Sequence, residues 1–137
     1  MKEVVAGWAA GYAMGIVVTV VLAYLSRPGG LLSRLREGIF PDLPAVGFAV
    51  PIFVGASLIW TMIGIVIGAV YRTGDFASRA GGAGSPSLIF TAGICLMAVA
   101  PLPALLIVAR RDWPAWIGSA VVFAALFGWG MPFLAGL

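Results

Sequence analysis

Long apolar runs alternate with short polar stretches along the chain, and four of these runs are long enough to cross a membrane. They cover about residues 4–25, 43–71, 87–109 and 113–134. Each run reaches the ~20 residues that span a hydrocarbon core about 30 Å thick, so each predicts a transmembrane helix. We therefore interpret residues 1–137 as a single transmembrane domain, an all-α integral membrane four-helix bundle with short loops.

The connections between these runs differ in character. In the first, SRPGGLLSRLREGIFPD, Leu and Ile recur at near-helical spacing among Arg and Glu, which indicates a short helix in the membrane interface. Asp42 and Pro44 are predicted to cap and start the second span, and Ser85 and Pro86 the third. The Gly- and Ser-rich second connection is predicted to be the most flexible. Only residues 110–112 join the last two spans, which predicts a tight antiparallel hairpin.

Composition supports a membrane location. The chain is 62% hydrophobic and 9% charged, with a mean hydropathy of +1.11, whereas soluble domains are about 25% charged. The net charge of +3 lies in short loops, where it suits anionic lipid headgroups better than nucleic acid. We expect an integral protein of a prokaryotic cell membrane, with the lipid bilayer as its surroundings and no nucleic-acid partner. The first apolar run exceeds the roughly 7–15 residues of a signal-peptide core and is expected to be retained.

The loop cations are divided unequally between the two sides of the predicted bundle. One side carries Arg27, Arg34, Arg36, Arg110 and Arg111, and the other carries Lys2, Arg72 and Arg79. By the positive-inside rule, this excess favours both termini facing away from the cytoplasm. Arg34, Arg36, Arg110 and Arg111 are the candidate contacts for lipid headgroups.

Small residues form one stripe on each predicted span. Gly7, Gly11 and Gly15 fall within an arc of about 80°, a spacing typical of a glycine zipper. The second span carries a matching stripe, made of Ser57, Thr61, Gly64 and Gly68. In lipid, small residues allow close backbone approach, so these two stripes are predicted to pack together. Alternatively, the glycine groove receives a helix from another subunit, or a lipid or pigment tail.

Two features could line a pore or a ligand site. Trp60 lies near the middle of the second span, and its indole N–H is expected to meet a carbonyl freed near Pro51 or Pro101. In the third span, APLP places Pro101 and Pro103 where a helix must kink or break. Together with Thr91, these residues are the candidate pore or ligand lining.

The side chains usual in catalytic and ion-coupled sites are scarce. The chain contains no His, Asn or Gln, a single cysteine, Cys95, and no Asp or Glu inside a predicted span. Proton relays and ion-coupled transport sites normally use ionisable groups within the bilayer. We therefore expect no catalytic residues, no metal site and no cofactor.

Three functions are compatible with this sequence. The first is a non-catalytic accessory or structural subunit of a larger membrane protein complex, which binds other membrane subunits or itself. The alternative is a homo-oligomeric channel or small-solute transporter, with Ser57, Thr61, Thr91 and the broken third helix at Pro101 and Pro103 lining the path. A lipid-modifying enzyme, acting through Arg110, Arg111 and Asp112, comes last.

Overall fold

The computed structural model describes residues 1–79 and 87–137, and within these ranges all regular structure is helical. The predicted capping of the third span by Ser85 and Pro86, and part of the connection expected to be flexible, lie outside the described residues. Seven α-helices are present in these ranges: α1 (Lys2–Leu25), α2 (Leu31–Ile39), α3 (Ala45–Thr73), α4 (Leu88–Val99), α5 (Leu102–Val108), α6 (Trp113–Ala125) and α7 (Met131–Gly136). A 3-10 turn, Arg110–Asp112, precedes α6, and a π-helical turn, Leu126–Gly130, joins α6 to α7.

Four helical stretches are long and apolar enough to cross a membrane, which confirms the predicted all-α four-helix bundle. They are α1, the part of α3 from Val46 to Thr73, the pair α4 and α5 from Leu88 to Val108, and the final stretch from Arg110 to Gly136. The short helix α2 lies between the first two spans, where the sequence predicted an interfacial helix. Its apolar residues Leu35 and Ile39, one turn apart, are exposed. That arrangement suits a helix whose apolar side rests on lipid.

The start of the second span differs from the prediction. Pro44 occupies the N-cap position with extended backbone angles, φ −62° and ψ 147°, and α3 begins at Ala45. Asp42 makes no side-chain cap, so its predicted role is wrong. The reason is steric, because the helical region is disfavoured for a residue that precedes proline, and Leu43 has no preceding helical turn to hold it there. The helix runs without interruption through Pro51.

The third span changes its hydrogen bonding at the predicted proline pair. Helix α4 ends at Val99 and α5 begins at Leu102, with Pro101 at the N-cap of α5. Both Ala100 and Pro101 keep right-handed helical angles, so the span continues with a kink and does not unwind. Pro103 lies in the first turn of α5, where a backbone N–H has no intrahelical partner in any case.

The fourth span contains a second proline, and a neighbouring helix compensates for it. Pro132 has no N–H to donate to the carbonyl of Gly128, four residues earlier. The hydroxyl of Thr91, on α4, donates to Gly128 O at 3.0 Å and is buried with it. A backbone carbonyl in a bilayer needs such a partner. Thr91 therefore joins the third and fourth spans.

The core is filled at the end of the bundle that contains Met1 and Thr73, here called the opposite end. Tyr71 of α3 packs edge-on against Phe90 of α4, with ring centroids 4.7 Å apart. Phe76, from the turn after α3, lies 5.4 Å from the Phe90 ring and closes this end. Residues from all four spans complete the cluster: Ala6, Ala10, Met14, Ile67, Ile94, Ala98, Phe123, Phe127, Met131 and Ala135.

Candidate functional site

Backbone contact between α1 and α3 is closest where the two predicted small-residue stripes meet. A Cβ atom placed on Gly7 would overlap the carbonyl oxygen of Gly64 and stand 2.9 Å from Gly68 Cα. A Cβ on Gly11 would overlap Trp60 O and stand 3.1 Å from the Cα atoms of Gly64 and Thr61. The groove formed by Gly7, Gly11 and Gly15 is thus occupied by α3 of the same chain.

The contact loosens along α1. A Cβ on Gly15 would stand 3.4 Å from Ser57 Cα, an ordinary van der Waals distance. Beyond that point α3 leaves the bundle core. Its buried residues are Gly64, Ile67, Gly68 and Tyr71, whereas residues 46–63 include none that is buried.

An apolar cleft of about 440 Å³ lies beside Trp60 and Ile63 of α3. Its walls come from all four spans. The lining residues are Met14, Val18, Val21, Leu22, Leu25, Trp60, Ile63, Met97, Ala98, Pro101, Leu102, Leu105, Trp116, Ser119, Ala120 and Phe123. We call this space the apolar cleft.

The two polar side-chain groups in its walls, other than the Trp60 indole, already have partners. The Ser119 hydroxyl donates to Ala115 O at 2.6 Å, within its own helix. The Trp116 indole donates to Ala109 O at 3.1 Å and so ties the start of α6 to the end of α5. The cleft therefore offers hydrocarbon surface to an occupant and few polar groups.

The structure brings together only part of the predicted pore or ligand lining. Trp60 and Pro101 both line the apolar cleft, whereas Thr91 and Pro103 do not. Within residues 1–79 and 87–137 the Trp60 indole makes no hydrogen bond, so the expected bond to a freed carbonyl is absent. Its ring instead packs against Phe123, with centroids 5.7 Å apart.

Arginine side chains gather around one buried carboxylate at the end of the bundle nearest the cleft, here called the charged end. Asp112 has 0% side-chain exposure, and its oxygens lie 3.1 Å from Arg27 Nη1 and 3.6 Å from Arg34 Nη2. The guanidinium of Arg111 lies over Gly29, about 3.5 Å from where a Cβ would stand. We call Arg27, Arg34 and Arg111, with Asp112, the arginine cluster.

Local backbone geometry explains how residues distant in sequence meet there. Gly29 has φ +80°, a left-handed conformation that glycine adopts without strain, and it turns the chain from α1 into α2. Arg27 stacks on the Tyr24 ring at 3.8 Å and donates to Tyr24 O at 3.1 Å, which fixes its direction. The turn thus places Arg27 and Arg34 on the same carboxylate.

The four arginines expected at lipid headgroups have different surroundings. Arg34 pairs with Asp112, and Arg36 donates to Leu43 O at 3.2 Å, which ties α2 to the start of α3. Arg110 and Arg111 are exposed. Burial of Asp112 was not expected from the sequence, which places it in a three-residue loop. The signal available in the sequence was the presence of three arginines in the facing loop on the same predicted side.

Comparison with known proteins adds no relative. No protein-family model, no curated protein and no solved structure matches this chain. In the part of the chain that the structure describes, no group of three or more His, Cys, Asp or Glu residues could hold a metal ion. The candidate sites are therefore the apolar cleft, the arginine cluster and residues 46–56 of α3, here called the uncovered half of α3.

Proposed function

We propose that this protein is a non-catalytic accessory subunit of a larger membrane protein complex, and that it joins the complex through the N-terminal half of α3. The uneven burial of α3 carries the proposal. Residues 57–71 hold this helix on its own chain, whereas residues 46–56 include no buried residue. The uncovered half is long enough to receive a helix from a partner.

The uncovered half presents the same face that packs on α1 further along the helix. Eighteen residues make about five helical turns, so Val46 and Val50 are in line with Gly64 and Gly68. The two glycines contact α1, whereas Val46 and Val50 are 73% and 52% exposed. Gly55, in the same half but on the opposite face, has no atom within 4 Å of where a Cβ would stand. Small and compact side chains of this kind suit helix–helix contact in lipid.

The homo-oligomeric channel or transporter has less support from the same geometry. Thr61, one of its pore residues, donates its hydroxyl to Ser57 O at 2.9 Å within α3, and Ser57 lies against Gly15. The apolar cleft beside Pro101 offers few polar groups. Ions and polar solutes need groups that replace their hydration shell, so this candidate stands second.

We further propose that both termini lie on the non-cytoplasmic side of a prokaryotic cell membrane, as the arginine excess at the charged end favours. Gly38→Cys and Ser78→Cys, made separately in a Cys95→Ala background, report on the two ends. A membrane-impermeant maleimide applied to intact cells should label Ser78→Cys only. Labelling of Gly38→Cys alone would reverse the proposed orientation.

Photo-crosslinking in the native membrane tests the subunit proposal. A photoreactive amino acid at Val50 should give a discrete adduct with a larger membrane protein. The matched control is the same substitution at Val20, an exposed residue of α1 that is expected to face lipid. Native mass spectrometry of the tagged protein should then show that partner in fixed stoichiometry.

Two results would overturn the proposal. Absence of a protein adduct at Val50 would mean that lipid covers this half of α3. An adduct of twice the chain mass would indicate self-association, and flux of a solute through liposomes containing the pure protein would then support the channel.

A further inference from the structure

We propose that the apolar cleft and the arginine cluster form one binding site for an anionic phospholipid. One acyl chain lies in the cleft, and the headgroup phosphate lies at Arg27, Arg34 and Arg111. This inference does not rest on the accessory-subunit proposal, because every residue that it uses belongs to this chain's own bundle.

The cleft has the size and chemistry of a hydrocarbon site. Its volume of about 440 Å³ lies within the roughly 300–1,000 Å³ usual for small-molecule sites. Aliphatic and aromatic side chains dominate the walls, and the hydroxyl of Ser119 is satisfied by its own helix. Apolar walls gain dispersion contacts with a hydrocarbon that fits between them, so an acyl chain is a favourable occupant.

The arginine cluster has more positive charge than its single carboxylate can balance. Asp112 faces Arg27 and Arg34, whose side chains remain 32% and 51% exposed, and Arg111 adds a third guanidinium. Guanidinium groups bind phosphate through paired N–H donors. The surplus charge therefore fits an anionic headgroup and not a neutral one.

The two halves of the site are continuous. Leu25 lines the cleft and is separated from Arg27 by one residue. Trp116 lines the cleft from the other side, one helical turn after Asp112. An occupant with a hydrocarbon tail in the cleft would thus meet the arginines where its polar end emerges, and that is the layout of a phospholipid.

Tryptophan quenching by lipids with brominated acyl chains tests the site directly. A variant that keeps only Trp60, with Trp116 changed to Phe so that a ring still lines the cleft, places one fluorophore there. A variant that keeps only Trp129 places one on an exposed face near the opposite end. Each is reconstituted in phosphatidylcholine vesicles with a small fraction of brominated phosphatidylglycerol or brominated phosphatidylcholine. Trp60 should be quenched more strongly by the anionic lipid, and Trp129 equally by both.

Two pairs of variants separate the tail from the headgroup. Arg111→Gln should weaken the preference for phosphatidylglycerol about fivefold, the effect of one basic residue at a membrane surface. Arg79→Gln, the same charge change at the opposite end, should leave it unchanged. Ala120→Leu fills the cleft and should reduce quenching of Trp60 by both lipids, whereas Ala125→Leu, on the exposed side of α6, should not.

Arg27 and Arg34 are left intact in these experiments because their loss would leave Asp112 buried without a partner. Equal quenching of Trp60 by the two brominated lipids would refute the headgroup site. Quenching that persists in full in Ala120→Leu would refute the acyl-chain site, since the bromine atoms would then be approaching Trp60 from the bulk bilayer.

Discussion

Replacing Gly11 by alanine tests whether backbone contact between α1 and α3 holds the bundle together. The new Cβ would overlap Trp60 O and stand 3.1 Å from the Cα atoms of Thr61 and Gly64. All three neighbours are backbone atoms, so no side chain can rotate to make room. The two helices must separate at this point.

The expected cost follows from the size of that separation. A relaxed carbon–oxygen contact is about 3.3 Å long, so α1 and α3 must move apart by roughly 1 Å. Overpacking a tight contact costs about 1–3 kcal/mol. Alanine recovers up to about 1 kcal/mol of helix propensity. We therefore expect Gly11→Ala to lower the free energy of unfolding by up to about 2 kcal/mol.

Two alanine variants serve as matched controls. In Gly15→Ala the new Cβ stands 3.4 Å from Ser57 Cα, and in Gly93→Ala it meets no atom within 4 Å. Both lack the clash, so they should keep the helix-propensity gain and raise the free energy of unfolding by up to about 1 kcal/mol. The measurement is reversible unfolding in mixed micelles with increasing dodecyl sulfate, followed by tryptophan fluorescence.

The difference in stability between Gly11→Ala and its controls decides whether the backbone contact between α1 and α3 stabilises the bundle. If Gly11→Ala unfolds at the same dodecyl sulfate fraction as Gly15→Ala, the backbone contact is not a source of stability. The larger Gly11→Leu should prevent normal packing of α1 on α3 and disrupt any complex that depends on it, which native gel electrophoresis would detect.

Two further predictions concern buried polar groups. Thr91→Val keeps the side-chain volume but removes the donor to Gly128 O, and should cost about 1 kcal/mol in the same unfolding assay. Adding Pro132→Ala restores a backbone N–H for that carbonyl, so the double variant should lose less stability than the two single variants lose together. A loss equal to the sum of the two single losses would contradict this role. Asp112→Asn removes the carboxylate charge within the arginine cluster and should cost about 1–3 kcal/mol, with faster amide exchange in α2. Asp42→Asn, at an exposed aspartate, is the control, and equal exchange in both variants would show that Asp112 does not hold α2.

The number and placement of the spans follow from local sequence. Hydropathy is a sum over neighbouring residues, and a stretch of about 20 apolar residues can satisfy its backbone in lipid only as a helix. Helix ends were harder to predict from the sequence, as Asp42 shows. The start of α3 depends both on the geometry of Pro44 and on the hydrogen bond from Arg36 to Leu43 O. The proline pair in the third span predicted an interruption of the helix. The interruption is small because Pro103 lies in the first turn of α5, where no intrahelical N–H is needed.

The candidate sites could be predicted only in part, since their members are far apart in sequence. Each span carries a small-residue stripe, so the stripes alone do not select the pairing of Gly11 with Trp60 and Gly64. Trp60 and Pro101 could be singled out from their chemistry, but their shared cleft depends on the spacing between helices of all four spans.

The sequence by itself determined that this chain is a four-span membrane protein with its arginine excess at one end, because solvent preference and charge are properties of each residue. The tertiary structure decided which residues meet. Asp112 is a loop residue in the sequence, yet the turn at Gly29 closes Arg27 and Arg34 over it and removes its side chain from solvent. Burial, pairing and cleft volume depend on distances between helices, and hydropathy along one chain does not encode those distances.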